Sequence, residues 1–406
     1  MPEQSPIARL IGARSLNTFG RAVISATVLY ELYERTHDAY VIGAVGLVQV
    51  VPVILLFVWS GSLADRVDRR TLTTLAATIT GLIGLGLASC SFFGLPVWMY
   101  LALLLVQGCV TSVHAPASSS LIPLIIQRGE LERVNRIGAS LQELAAITGP
   151  ALAGLALTWV APSYVYAAVA LTGLASGALY RALPNPRVAQ ATAVAGASAR
   201  KDWRVGLRFI FRSPLLLPAL TLDMFAVLFA GVTALLPAVA SDVLHVGPFG
   251  YGVLRAAQSA GAVLMAVGGG RIPPWKRPGR VLLIVVALFG LATMGFGLST
   301  SFPLSVVLLV LCGALDNISV VIRLTLEQMV VPDAIRGRVS AVHYVFIGMS
   351  NELGAAESGA AAGLVGTVPA IVGGGAIAVI VVLVVAAKWR ELAAMPPLSQ
   401  LRPPES

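Results

Sequence analysis

The chain has 406 residues, 57% of them hydrophobic, with 28 Lys and Arg against 19 Asp and Glu and a formal net charge of +9. Charged residues make up 12%, whereas an ordinary soluble domain carries about 25%. A water-soluble globule of this length would expose far too much apolar surface, so the composition places the chain in a bilayer and leaves little length for a soluble domain.

In chain order, the first nine residues lack a short apolar run with a small-residue cleavage site, so the first hydrophobic run is expected to stay as a span. Apolar stretches of spanning length then fall near 9–33, 40–63, 72–93, 97–122, 134–161, 163–183, 214–241, 249–270, 280–300, 303–330, 339–364 and 367–388. Their length, about 20 residues or more, and their lack of period-2 alternation predict helices rather than barrel strands. The expected fold is an all-α membrane protein with twelve transmembrane helices. Cys90, Cys109 and Cys312 lie far apart, with no C-x-x-C pattern, which argues against a zinc site or a disulfide framework. No metal and no cofactor is expected.

Lys and Arg accumulate on the cytoplasmic side of inserted helices. With both termini inside, 23 of the 28 basic residues fall in cytoplasmic segments; of the rest, Arg35 is in an outer loop and Arg14, Arg21, Arg255 and Arg323 are inside spans. Basic loops facing anionic inner-leaflet lipid account for the basic balance without nucleic acid. The polar stretch 184–213 divides the spans six and six, giving a bundle over 1–183, a linker over 184–213 and a second bundle with a short tail over 214–406. Within the linker, Trp203, Val205, Leu207, Phe209 and Ile210 alternate with Arg204 and Arg208, which fits either a short helix on the inner membrane surface or a solvated tether.

Gly61 and Gly270, Pro123 and Pro332, and the runs Glu143-Leu-Ala-Ala and Glu352-Leu-Gly-Ala share an offset of 209 residues. Three matches at one offset predict a duplicated bundle, the architecture in which a site lies between two related halves.

Between spans two and three the chain reads G-S-L-A-D-R-V-D-R-R, Gly61 to Arg70. This resembles the cytoplasmic loop signature of the major facilitator superfamily, and with twelve spans and a central loop the resemblance covers nearly the whole chain. It implies two pseudo-symmetric six-helix bundles working by alternating access. Gly61, Asp65, Arg66, Arg69 and Arg70 then act as gating residues, with Asp65 pairing Arg69 and the arginines meeting lipid phosphate. Asp68 replaces the signature's second glycine. In span five, Gly149-Pro150-Ala-Leu-Ala-Gly154 is similar to the tail of the motif of proton-driven exporters of the superfamily, which adds Gly149 and Pro150 to the gating set. The overall pattern is most similar to the drug and siderophore efflux branch, the one that includes enterobactin exporters.

An ionisable side chain at mid-bilayer costs about 2.5 to 3.5 kcal/mol on insertion scales, so each one needs a partner or a task. The near-midplane set is Arg21, Gln49, Gln107, Glu143, Asp223, Asp316, Asn317 and Glu352. Spans one, four, seven and ten line the cavity in the resembled superfamily, and they supply Arg21, Gln107, Asp223, Asp316 and Asn317. Asp316, Glu352, Asp223 and Glu143 are the candidates for proton coupling, since a carboxylate facing an apolar cavity can load and release a proton; the bland alternative is a static ion pair. Arg21, Gln49, Gln107 and Asn317, with Phe225 and Phe346 as apolar walls, are the candidates for substrate binding. Arg323 and Glu327, four apart in span ten, are expected to pair with each other, and His114 and His343 to serve as helix-packing residues.

The expected function is a secondary active transporter, a proton-coupled exporter (antiporter) of small amphiphilic molecules such as drugs or siderophores. It would be a monomer in the bacterial inner membrane, with its substrate, protons and lipid as partners. A lipid-like or metal-complex transporter or flippase of the same fold is the alternative, and a membrane-embedded enzyme is a rival from another class. The enzyme is disfavoured because no H-E-x-x-H, G-x-S-x-G or paired acidic motif occurs, and the absence of a Walker pattern argues against direct ATP drive.

Overall fold

The computed structural model describes residues 6–126, 130–184, 203–269 and 275–401. Among these residues the chain forms twelve long helices. The first six are α1 (Pro6–Thr36), α2 (Ala39–Arg66), α3 (Arg69–Phe92), α4 (Val97–Ile125), α5 (Leu131–Ala156) and α6 (Pro162–Arg181). After the short α7 (Trp203–Arg212) come α8 (Leu216–Ala230), α9 (Gly247–Gly268), α10 (Pro278–Leu298), α11 (Phe302–Val330), α12 (Asp333–Val365) and α13 (Thr367–Lys388), with a single turn, α14 (Arg390–Ala393), behind them. Eight of the twelve are long and apolar enough to cross a membrane. The other four, α1, α5, α9 and α12, carry charged residues along their length, such as Arg14, Arg21, Glu143, Arg255 and Glu352.

Local chemistry sets the helix ends. Pro occupies the first turn of α6, α9, α10 and α11, where a missing N–H costs nothing. Asp68, the departure from the loop signature, is the N-cap of α3: its Oδ2 accepts from the Thr71 amide at 2.9 Å and from the Thr71 hydroxyl at 2.7 Å. Between α12 and α13 the chain reverses at Gly366, whose φ of 93° lies in the left-handed region that a side chain disfavours.

By contacts the chain separates into two compact units. One comprises 1–37, 47–199 and 247–252, the other 38–46, 200–246 and 253–406. In the first unit α3 packs on α6 and α4, and α1 on α5 and α6. The α3–α6 crossing is close because Gly81 faces Gly173, and Gly177 one turn on faces Thr78. Two arginines satisfy the end of α6: Arg9 donates to the Ala182 carbonyl at 3.0 Å and Arg70 to the Arg181 carbonyl. Residues 247–252 join this unit through Gly252 against Gly154 and through Tyr251, whose hydroxyl donates to the Ala26 carbonyl at 3.0 Å.

In the second unit α10 packs on α11 and α13, and α8 on α12 and α13. Residues 38–46 join it, with Gly43 and Gly46 against Ala356 and Gly359 of α12. The amphipathic stretch of the linker is helical: α7 docks on the start of α12, with Ile210 buried and Gly206 against the Arg338 carbonyl, while Arg204, Arg208, Phe211 and Arg212 are exposed. A solvated tether over 203–212 is therefore ruled out, whereas residues 185–202 lie outside the described residues.

The span expected as one helix over 214–241 is broken. After Ala230 the chain passes through Gly231, a 3-10 turn (Val232–Leu235), a short α segment (Leu236–Ala238) and a π turn (Val239–Val243). Pro237 has no N–H for the Thr233 carbonyl four residues back. Arg255 of α9 supplies the missing donor, Nη1 to Thr233 O at 3.2 Å, and the Thr233 hydroxyl donates to Gln258 Oε1 at 3.2 Å. An arginine within a span thus repairs a proline break.

Neighbouring helices reach this break through glycine. A Cβ at Gly354 would meet the Val227 and Leu228 carbonyls at 2.9 and 3.1 Å, and one at Gly374 would lie 1.8 Å from the Phe229 carbonyl oxygen. Gly374→Leu is therefore expected to push α13 off α8 at a cost of about 1–3 kcal/mol or more. Gly373→Leu, where a Cβ meets nothing within 4 Å, is expected to be nearly neutral. Thermal melts of the two variants in detergent check the contrast, and equal melts would contradict it.

Candidate functional site

The second unit holds a small recess, about 20 Å³ in volume, lined by Asp223, Ala226 and Val227 of α8, Val285, Val286 and Phe289 of α10, and Leu315, Asp316 and Ser319 of α11. Two carboxylates thus face an otherwise apolar pocket. Asp223 sits two turns before the break in α8, and its carboxylate is ion-paired with the Arg323 guanidinium. Arg323 is 3% exposed and also donates from Nε to the Ser319 carbonyl at 3.2 Å. At about 20 Å³ the recess is far below the ~300 Å³ at which drug-sized ligand pockets begin. On its own it has room for a proton and about one water molecule.

The expected Arg323–Glu327 pair is therefore corrected. The tertiary partners outcompete the neighbour one turn away: Arg323 takes Asp223 across to α8, and Glu327 takes α12. Glu327, 5% exposed, accepts from the Ser340 hydroxyl and is paired with His343 Nδ1. His343 is thus more than a packing residue. His114 is buried with its ring edge-on to Tyr180 at 5.8 Å, as packing predicts.

The other expected site residues are distributed as follows. Asn317 is half-buried on α11, and Phe225 stacks on Phe229 at 6.0 Å along α8. Phe346 of α12 is 37% exposed. Glu352 is half-buried on α12, outside the lining of the recess. In the first unit Arg21 and Gln49 are half-buried, and Gln107 is 4% exposed with its amide 3.4 Å from both Thr80 and Thr111 hydroxyls. Gly149, beside Pro150, lets α5 approach Ala22 and the Phe19 carbonyl of α1. The side chains of Gly61, Asp65, Arg66 and Glu143 lie outside the described residues.

Arg69 is turned inward, and Arg70 is half-buried. Arg69 is 8% exposed and donates to the Ser120 carbonyl of α4 at 3.4 Å, and Arg70 is turned to the end of α6. Arg70 serves the end of α6, whose last carbonyls have no partner of their own.

A second polar cluster, unread in the sequence, lies in the first unit. Glu31 of α1, 4% exposed, accepts from the Tyr100 hydroxyl of α4 at 3.0 Å and is paired with Arg35 at 2.8 Å. Arg35 also donates to the Ser91 carbonyl at 3.0 Å and lies over the Tyr100 ring, 5.5 Å from its centroid. The Glu31–Arg35 spacing of four was the available signal; the aromatic partner comes from another helix.

The sequence profile of the Major Facilitator Superfamily matches residues 10–355. The enterobactin exporter EntS of Citrobacter koseri is 29% identical over 344 residues, 83% of this chain and 79% of the relative, and that of Shigella boydii is 28% identical over the same span. Among solved structures, a bacterial homolog of the human lysosomal transporter Spinster, inward-facing and unoccupied, superposes with a TM-score of 0.73 at 16% identity over 98% of both chains. A D-xylose–proton symporter gives 0.70 at 14% identity over 93% of this chain and 96% of its own. The profile covers far more than half of the chain, the relatives are transporters, and the twelve-helix architecture is the one these structures share. This multi-pass membrane protein therefore belongs to the Major Facilitator Superfamily.

Proposed function

We propose that the chain is a proton-coupled exporter of small amphiphilic molecules of the siderophore or drug type, acting by alternating access in the bacterial inner membrane with both termini cytoplasmic. The observation that carries the proposal is the pair of carboxylates, Asp223 and Asp316, facing an apolar recess, with Arg323 paired to Asp223 as the one cation beside them among the described residues. Two acids sharing one cation leave one negative charge uncompensated, and a low-dielectric wall makes that charge costly. Binding one proton removes the cost, so the recess is built to hold a proton in one state and lose it in another. The similarity to enterobactin exporters supports export and a siderophore-class substrate. The concentration of basic residues in alternate loops supports the orientation.

The decisive experiment uses the purified full chain in proteoliposomes with an imposed pH gradient and enterobactin as probe, with ethidium as a cationic comparison. Accumulation of enterobactin that collapses when the gradient is dissipated is the expected result. Movement of enterobactin unaffected by the gradient would remove proton coupling, and movement of ethidium alone would replace the substrate class.

A further inference from the structure

Between α1 and α4, both in the first unit, one hydrogen bond sets the register: Glu31 accepts from the Tyr100 hydroxyl at 3.0 Å. The two are an odd and an even span, so they run in opposite directions. Asn17 lies fourteen residues before Glu31, and His114 fourteen after Tyr100. Fourteen residues make about four turns and about 21 Å of rise, so Asn17 and His114 stand at one level on the faces that Glu31 and Tyr100 share. Arg14 is three residues before Asn17 and Arg21 four after it, on the same face of α1. The charges of both arginines reach His114.

The groups at this level are donors without acceptors. Asn17 is 3% exposed and His114 9%, and Asn17 Nδ2 and His114 Nε2 are each buried without a hydrogen-bond partner. The group acting on the Arg14 charge among the described residues is the Tyr180 phenol, not a carboxylate. Neighbouring polar groups close the strip at both ends. The Ser118 and Tyr180 hydroxyls bond each other at 3.3 Å, and Gln107 Nε2 lies 3.4 Å from the Thr80 and Thr111 hydroxyls. Arg14 and Arg21 are half-buried and form its open edge. Packing leaves room there, since α1 lies mainly on α5 and α6 and only lightly on α4.

We infer that Arg14, Asn17 and His114, with the charge of Arg21, form a subsite for a negatively charged oxygen group of the transported molecule, a carboxylate or catecholate. A guanidinium in an apolar bundle without a carboxylate is costly, and an arriving anion supplies the missing counter-charge. The planar guanidinium fork matches two such oxygens, and the Asn17 amide and the His114 ring can each present an N–H to them. A water would bring two hydrogens into a group of donors, whereas an ionised oxygen only accepts. A cationic group is repelled by both arginines. The inference rests on the reading of the chain as an exporter of amphiphilic molecules, and it names the part of such a molecule that the first unit holds. His114 then has a task beyond its packing on Tyr180.

The test uses the full chain in phosphatidylcholine nanodiscs, with empty nanodiscs as the blank and no gradient. The probes 4-fluorobenzoate and 4-fluorobenzamide share a ring and differ by one negative charge, and 19F NMR titration reads the binding of each. Saturable binding of the benzoate, about tenfold tighter than the benzamide, is the expected result for a charge-assisted site. Arg14→Gln removes the charge and keeps a polar side chain. It is expected to lower benzoate affinity about tenfold and leave the benzamide unchanged. Asn17→Asp keeps the shape of the side chain and gives Arg14 a carboxylate within the fold, so it is expected to abolish benzoate binding. Arg208→Gln, an exposed charge on α7, is expected to match the parent.

Equal binding of the two probes by the parent, or parent-like benzoate binding in Arg14→Gln or in Asn17→Asp, would overturn the subsite. An equal loss in Arg208→Gln would also overturn it, in favour of a general effect of positive charge. Each of the two site variants decides by itself, so misfolding of one leaves the other as the test. Because binding is read at equilibrium without a gradient, loss of gradient-driven export and loss of anion binding are separate outcomes.

Discussion

In Asp316→Asn, gradient-driven export is expected to fall to the level of protein-free liposomes, while exchange of labelled for unlabelled probe at zero gradient continues at close to the parent rate. Asparagine keeps the size and hydrogen-bonding shape of the side chain but cannot carry a proton. Asp316 lines the recess with Asp223, and Asp223 already has the Arg323 guanidinium as its counter-charge. The acid without its own cation is the one whose charge costs most to keep in an apolar wall. Loss of both exchange and driven export would assign Asp316 to binding or folding instead, and retention of both would remove it from coupling. Glu352→Gln is the internal control. Glu352 lies on α12 outside the recess, so it is expected to leave driven export intact.

The helical architecture was readable because it follows from one-dimensional quantities: apolar length, proline and glycine placement, and the alternation of basic loops. Asp316 and Asp223 were readable for the same reason, since an acid in the middle of an apolar run declares itself. Partner choice was not. Arg323 and Glu327 look like a local pair by spacing, but α8 and α12 each bring a better-placed group, and the local pair contributes only about 0.2–0.5 kcal/mol on a helix surface.

Glu31 escaped for a related reason. It stands near the end of a predicted span, where a charge needs no explanation, and only the arrival of Tyr100 from α4 makes it a buried site. The break after Ala230 was half legible. Pro237 marks the freed carbonyl of Thr233, but the fact that Arg255 comes from α9 to satisfy it depends on packing that spacing does not encode.

The ion pair itself carries the second large expectation. Arg323→Met keeps the length of the stem and removes the charge, leaving Asp223 without its counter-charge beside Asp316 in an apolar recess. Breaking a buried pair from one side costs about 3–5 kcal/mol, so denaturant unfolding in detergent is expected to show a loss of that order. The double variant Asp223→Asn with Arg323→Met removes the stranded charge and is expected to recover most of the loss, giving a coupling energy from the cycle that neither single variant reports. Asp223→Asn alone should cost less than Arg323→Met, because the guanidinium still has the Ser319 carbonyl, whereas Asp223 has no second cation within the recess lining. Equal costs in the two single variants would mean that the Ser319 carbonyl does not hold the guanidinium once the Asp223 charge is gone.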